Sequence, residues 1–183
     1  QGILVVAPFP EIEAKDVHLS LVLDGLRDPG NLGTILRSAE AAGVGQVITM
    51  SGTVDVFGPK VVRGAMGAHF RLPIRADRSW DEISDTLQER QVLLADAGGE
   101  TAYDRVDWSQ PSVLIVGGEA RGAGAEARRV SSGTVSIPMR AGVDSLNVAV
   151  ATSIILFEAA RQLGAGSGKA AEREDTPLAG SEK

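Results

Sequence analysis

Apolar residues in this chain fall into short dense runs divided by turns rich in glycine and aspartate, and between those runs they recur every third or fourth position. The stretches 3–6 and 19–23 are nearly continuous apolar runs, the pattern of strands covered on both faces in a parallel sheet, and 46–50, 92–95 and 112–116, the last the most apolar, also read as strands. Residues 70–74 and 134–137 read as further strands. Helical spacing predicts a helix capped by Asn31, with Leu32, Ile35, Leu36 and Ala39 on its buried face and its end at Gly43. Pro59 opens a short helix over 59–65. Ile83 and Leu87 mark a helix within 80–90, another is expected over 123–130, and the last runs from 147 to 163 with Val148, Ala151, Ile155 and Ala159 turned inward.

Strands alternating with helices predict an α/β fold, a mostly parallel sheet with helices on both faces, forming one domain over residues 1–163. From Gly164 to Lys183 the chain holds small residues, mixed charge and almost nothing to bury, so 164–183 is expected to be a disordered tail. Gln1 rather than methionine opens the sequence, which suggests that something upstream is missing.

Composition narrows the chemistry. There is no cysteine, which removes disulfides and thiolate metal sites and points to a reducing, cytoplasmic setting. Only two histidines, His18 and His69, offer imidazole, so no metal centre is expected. No apolar run approaches the length of a membrane span, and no membrane role is expected. The net charge of -6 argues against indiscriminate binding of polyanions, so any contact with nucleic acid must rest on local patches. Lys60, Arg63, Arg71 and Arg75 are the best such group. They either face RNA or form a solvated rim paired with acids.

Two glycine motifs are decoys. Gly122-Ala-Gly-Ala-Glu-Ala127 fits G-x-G-x-x-A, but it starts several residues after its strand and lacks the acidic residue that would hold a ribose. Residues 164–169 resemble a phosphate loop, yet Leu163 stands at the required first glycine and Ala170 replaces the magnesium-holding hydroxyl. No nucleophile elbow is present either.

Three distant segments, each placed where a strand is expected to hand over to a helix, read as parts of one pocket: Asn31-Leu-Gly-Thr-Ile-Leu-Arg37, Gly117-Gly-Glu119, and Ile137-Pro-Met-Arg140 with Ser145-Leu-Asn147. Taken alone, Asn31, Ser145 and Asn147 suit helix caps as well as a ligand site. Glu119 suits either a ribose hydroxyl or the cap of the following helix, and Arg37 either a phosphate or a surface ion pair.

In order and spacing these segments resemble the three signature motifs of the SpoU family of RNA ribose 2'-O-methyltransferases. The likeness runs from about residue 1 to 163 and includes Lys60-Val-Val-Arg63-Gly-Ala-Met-Gly67. It implies a SPOUT fold, whose C-terminal stretch threads an earlier loop as a trefoil knot, a topology that general rules of chain connection would not suggest. It further implies S-adenosylmethionine held by Gly117, Gly118, Ile137, Met139 and Leu146, with the bare glycines letting the cofactor approach the backbone. Arg37, Asn31, Glu119, Ser145 and Asn147 become the catalytic set, and Lys60 and Arg63 contact RNA, rRNA before tRNA. The family's mechanism has been drawn with the motif-one arginine, Arg37 here, as general base; because a guanidinium holds its proton, a phosphate-positioning role that stabilises an incipient alkoxide is preferred. The resemblance also implies a homodimer and an upstream RNA-binding domain absent from this chain. A module that binds RNA in ribosome assembly without turnover is the alternative function.

Overall fold

The computed structural model describes Gly2 and residues 12–14, 17–119 and 122–164. The expected strand at 3–6 and the expected tail over 165–183 lie outside the described residues. Seven strands form one sheet, β1 (Leu19–Asp24), β2 (Gln46–Met50), β3 (Ile74–Arg78), β4 (Gln91–Ala95), β5 (Thr101–Ala102), β6 (Ser112–Gly117) and β7 (Gly133–Ser136), in the order β3-β2-β1-β6-β4-β7-β5. Every pair is parallel. The central pair runs in full register from Leu19 opposite Ser112 to Asp24 opposite Gly117, so the ends of β1 and β6 lie side by side.

Alternate residues along each strand feed two cores, as the two-residue period of a strand requires. Leu21, Leu23, Leu114 and Val116 pack with helices α1 (Pro29–Ala41), α2 (Pro59–Ala65) and α5 (Val148–Gln162) on one face. Val22, Ile48, Val113 and Ile115 pack on the other face with α3 (Ser84–Leu87) and α4 (Ala125–Val130), through Leu87, Ala127 and Val130. Helices on both faces of a parallel sheet are what the apolar pattern predicts.

Four local expectations are corrected. Asp28, not Asn31, caps α1: its carboxylate accepts the Asn31 N–H at 2.7 Å, with Pro29 in the first turn. The strand expected at 70–74 is instead a 3-10 turn, Ala68–Phe70, followed by β3 from Ile74, because the Arg71 and Leu72 N–H groups both turn back to the Ala68 carbonyl. The helix expected over 80–90 shrinks to a 3-10 turn, Asp81–Ile83, and α3, since Gln88 turns extended and Glu89 adopts a φ of 56°. In α5 the fully buried positions are Ala149, Thr152, Ile155, Leu156, Ala159 and Ala160, while Val148 and Ala151 are only half-buried.

Helix α2 crosses α1 at a pair of glycines, where a Cβ on Gly33 would stand 3.0 Å from the Gly64 Cα. On its other flank α1 meets α5, whose Ser153 hydroxyl donates to Ser38 at 2.8 Å. The segment after β5 is anchored by Trp108, which is 1% exposed and donates its indole N–H to the Tyr103 carbonyl at 3.0 Å. Gln162 near the end of α5 accepts the Trp108 backbone N–H and donates to Val106.

Glu158 completes this anchor. Hydrogen bonds from Arg161 and then Gln162 hold its carboxyl at a pKa of about 2, below the ordinary 4.5. A depressed carboxylate stabilises the fold above its unfolded pKa and loses that contribution as pH falls through the folded value. Thermal unfolding between pH 4.5 and about 2 should therefore fall more steeply for the native chain than for Glu158→Gln. Parallel curves would show that the carboxylate is not held this way.

Candidate functional site

The sheet reverses its winding between β1, which leads outward to β2, and β6, which leads the opposite way to β7. In open α/β sheets ligands settle at the carboxyl ends of strands at such a point. A cleft of about 450 Å³ opens there, floored by the ends of β4, β6 and β7 and walled by residues 145–148 and the first turns of α5. Of the residues singled out in the sequence, Gly117, Gly118, Glu119, Ile137, Met139, Ser145, Leu146 and Asn147 all line it.

The capping of α1 by Asp28 leaves the Asn31 side chain free for other work. Its Nδ2 donates to Glu119 Oε1 at 2.8 Å, and its Oδ1 accepts from Asn147 Nδ2 at 3.0 Å. One side chain from each of the three motifs is thus joined in a continuous hydrogen-bonded chain along the rim. Asn147 performs both roles left open by the sequence, since its Oδ1 also accepts the Ala149 and Val150 N–H groups at 2.9 and 3.3 Å and so caps α5.

The two glycines of the second motif, besides lining the cleft, are closely approached by the chain's own backbone. A Cβ on Gly117 would lie 2.2 Å from the Ala123 nitrogen, and one on Gly118 would lie 2.3 Å from the Gly25 carbonyl oxygen. They are bare because backbone meets backbone, closing the 118–122 loop and fastening β6 to the loop after β1. Gly122 continues the closure, with its N–H on the Gly118 carbonyl and a φ of 63°. The G-x-G-x-x-A stretch therefore runs from the end of this loop into the first turn of α4, with the Gly124 N–H at its N-cap held by Asp24 at 2.9 Å.

Arg37 is not brought into this assembly. It is exposed on α1, makes no hydrogen bond or ion pair with a described residue, and does not line the cleft. Six residues along a helix place it about 120° from Asn31 rather than on the same side. Ser38 occupies the Asn31 face instead, as its contact with α5 shows. Lys60 and Arg63 lie exposed on α2, outside the cleft. Arg71 is paired with Glu40, with Nη2 donating to Oε2 at 3.1 Å, and Arg75 is bound to Thr86 and the Glu82 carbonyl. Two of the four basic residues are therefore engaged with their own chain.

Asp96 and Thr152 line the cleft without having stood out in the sequence. Asp96 holds Gly98 N–H with one carboxylate oxygen and Arg128 with the other. The signal was available in retrospect: an acid at the end of a buried parallel strand, followed by two glycines. A smaller hollow of about 310 Å³ adjoins the cleft, shares Gly118 and Glu119 with it, and is bordered by Asp24 and Arg27. Apolar walls from Val116, Ile137, Met139 and Ile155, with acids at Asp96 and Glu119, suit a ligand with a flat apolar part and a cationic centre. Both imidazoles are occupied elsewhere, with each Nε2 donating to a backbone carbonyl, of Trp108 for His18 and of Val56 for His69.

Comparison with known proteins agrees with the motif pattern. The model of the SpoU rRNA Methylase family matches residues 18–157. Among curated relatives, the mitochondrial rRNA methyltransferase 3A of Danio rerio is 37% identical over 93% of this chain and 50% of its own length. The 23S rRNA (guanosine(2553)-2'-O)-methyltransferase RlmP of Bacillus subtilis is 33% identical over 86% of this chain and 64% of its own. The chain spans about half the length of the first of these and somewhat under two thirds of the second. Among solved structures, the SpoU methyltransferase AviRb of Streptomyces viridochromogenes in complex with AdoMet superposes with a TM-score of 0.76, at 34% identity over 85% of this chain and 60% of that one. The AdoMet-bound rRNA methyltransferase of Sinorhizobium meliloti gives 0.75, at 38% identity over 86% and 61%. With most of the described sheet inside the matched span, the chain belongs to the SpoU rRNA methylase family.

Proposed function

We propose that this chain is the catalytic domain of an S-adenosylmethionine-dependent methyltransferase that modifies a ribose 2'-hydroxyl in rRNA. The observation that carries the reading is the Asn147–Asn31–Glu119 chain, which leaves one carboxylate oxygen with no partner among the described residues, at the border between the cleft and the adjoining hollow. The larger cleft fits the cofactor and the smaller hollow the acceptor nucleotide. Relatives solved with AdoMet support a cofactor of this kind.

The bound cofactor would supply a methyl group on a cationic sulfonium; the 2'-oxygen takes that carbon as the carbon–sulfur bond breaks and the hydroxyl proton departs. Ile137, Met139 and Leu146 would bracket the adenine, with Gly117 and Gly118 as backbone floor. Asp96 and Glu119 favour positive charge near the sulfur. Asn31 and Asn147 fix the Glu119 rotamer, so its second oxygen can accept the 2'-hydroxyl hydrogen. Proton loss becomes easy only as the oxygen gains its third bond, so a weak base in the right place suffices, and alignment supplies most of the acceleration. Ser145 stands beside this path and holds the ribose. Arg37, a donor that keeps its proton, grips an RNA phosphate from the outer side of α1.

We further infer that residues 137–147 carry the chain into a trefoil knot, with α5 lying against α1 after the chain leaves β7 on the far side of β6. Homodimer formation is supported by the exposed Val150 and Phe157, one heptad apart on α5. Among the described residues no helix is long and apolar enough to cross a membrane; the absence of cysteine supports a reducing compartment, the cytoplasm.

The test is transfer of label from methyl-tritiated S-adenosylmethionine to bulk rRNA and, separately, tRNA, followed by alkaline hydrolysis. A 2'-O-methyl group blocks cleavage at its own phosphodiester, so the label should appear in alkali-resistant dinucleotides from rRNA. Glu119→Gln should reduce transfer about 100-fold or more. Label in mononucleotides would place the methyl on a base and overturn the reading.

A further inference from the structure

One surface feature is left unused by the cleft. Within residues 62–70, Val62, Met66 and Phe70 recur at every fourth position and are all exposed, Met66 at 67% and Phe70 at 66%. Met66 is also in the left-handed backbone region, with φ 51° and ψ 39°, and Gly67 follows with φ 89°. A side chain with a Cβ costs about 1 kcal/mol there, so the chain keeps a strained methionine pointing to water where glycine would be cheaper. The left-handed turn itself ends α2, with Met66 as the C-cap residue; the exposed thioether is what this ending sets on the surface.

The helices that carry and adjoin the patch also carry cations. Lys60 and Arg63 are exposed on the same helix and have no carboxylate partner among the described residues. Arg37 on α1 stands about 40° round the helix from Gly33, the residue that touches α2, and is equally unengaged. Arg71, by contrast, is tied to Glu40 and braces the turn beneath the patch: its guanidinium lies 3.6 Å from where a Gly67 Cβ would be. In a chain of net charge -6, three free cations around an exposed aromatic and a thioether form a local exception.

We propose that Phe70, Met66 and Val62 form a stacking platform for unpaired bases of the RNA strand next to the modified nucleotide, with Lys60, Arg63 and Arg37 on its phosphates. Base stacking on an aromatic side chain is tolerant of sequence, and cations follow the backbone, so the platform selects a single strand over a duplex. Its location agrees: α2 crosses α1 at Gly33 and Gly64, two residues along from Asn31 at the rim of the cleft. A second copy of the chain is the less fitting occupant, since it is net acidic and the apolar stripe of α5, Val150 and Phe157, is the face left for it. The proposal rests on the reading of the chain as an RNA-modifying domain.

The test uses the 183-residue chain with a fluorescein-labelled, mixed-sequence RNA of about fifteen nucleotides, presented either as an unstructured strand or as a duplex, and followed by anisotropy. Phe70→Ala should weaken binding of the single strand about tenfold and leave the duplex unchanged, and Phe70→Trp should restore it. Lys60→Gln with Arg63→Gln should weaken both forms and flatten the salt dependence. S-adenosylmethionine affinity by calorimetry should be the same in every variant. An unchanged affinity in Phe70→Ala, an equal loss on duplex, or no preference for single strand in the native chain would each overturn the platform. So would a shift from dimer to monomer in sedimentation, which would make the patch a subunit contact. Strand preference is read without turnover, so a chain that stacks RNA but transfers no label fails only the methyltransferase reading, and the converse fails only the platform.

Discussion

Alanine at position 118 should lower the thermal midpoint by roughly 6–12 °C and abolish cofactor uptake. The added Cβ would stand 2.3 Å from the Gly25 carbonyl oxygen and 2.9 Å from its carbon. Both are backbone atoms, so no side-chain rotation relieves the overlap. The pair sits directly beyond the last registered residues of the central strands, Asp24 and Gly117, which leaves little slack on either side. Overpacking of this kind costs about 3 kcal/mol at the upper end of its usual range. The strain must be relieved by parting β6 from the loop after β1, where cleft and hollow share Gly118 and Glu119. Gly98→Ala is the matched control: its Cβ would meet only Asp96 Oδ1, at an ordinary 3.6 Å, and stability should stay within about 0.5 kcal/mol. Scanning calorimetry with and without S-adenosylmethionine separates the two variants. Equal midpoints for both would mean that the strand ends are looser than the close approach implies.

The same position shows what the sequence conceals. Gly117 and Gly118 were legible as residues that something approaches closely; that the chain's own backbone does so, at 122–123 and at Gly25, depends on contacts between distant segments that no local pattern carries. The strands at 19–23, 46–50, 92–95 and 112–116 were legible because they are short, largely apolar and bounded by turn residues, as strands buried in a parallel sheet are. The strand after Pro73 was misplaced because the apolar letters around Phe70 belong to an exposed patch rather than to a core, and hydropathy alone does not separate the two. Asn31 was misread as a cap for an opposite reason: several good caps stand close together, and the choice of Asp28 depends on Pro29 taking the first helical position. Helical phase was available for Arg37 from the start. Counting six residues puts it about a third of a turn from Asn31, and the structure keeps it outside the cleft of its own chain.

Asn31→Asp should leave the fold intact and reduce methyl transfer about 100-fold, because the change removes one hydrogen bond without altering shape. The aspartate still accepts from Asn147 Nδ2, and a carboxylate in the first turn of α1 is favourable to the helix. It cannot donate to Glu119 Oε1, now 2.8 Å from another anion, so Glu119 must swing away from the border of cleft and hollow. The thermal midpoint should therefore move little while kcat falls and the KM for S-adenosylmethionine changes by less than the rate does. Adding Glu119→Gln rebuilds the bond in the opposite sense, with the glutamine amide donating to the aspartate. If the carboxylate at 119 takes the hydroxyl proton, the double variant regains its ordered rim and its cofactor affinity but not its turnover. If Glu119 serves only as a strut, turnover returns with the bond. Single-turnover label transfer on rRNA, run beside cofactor calorimetry for the native chain, both single variants and the double, distinguishes an acceptor from a brace because only the acceptor needs its negative charge.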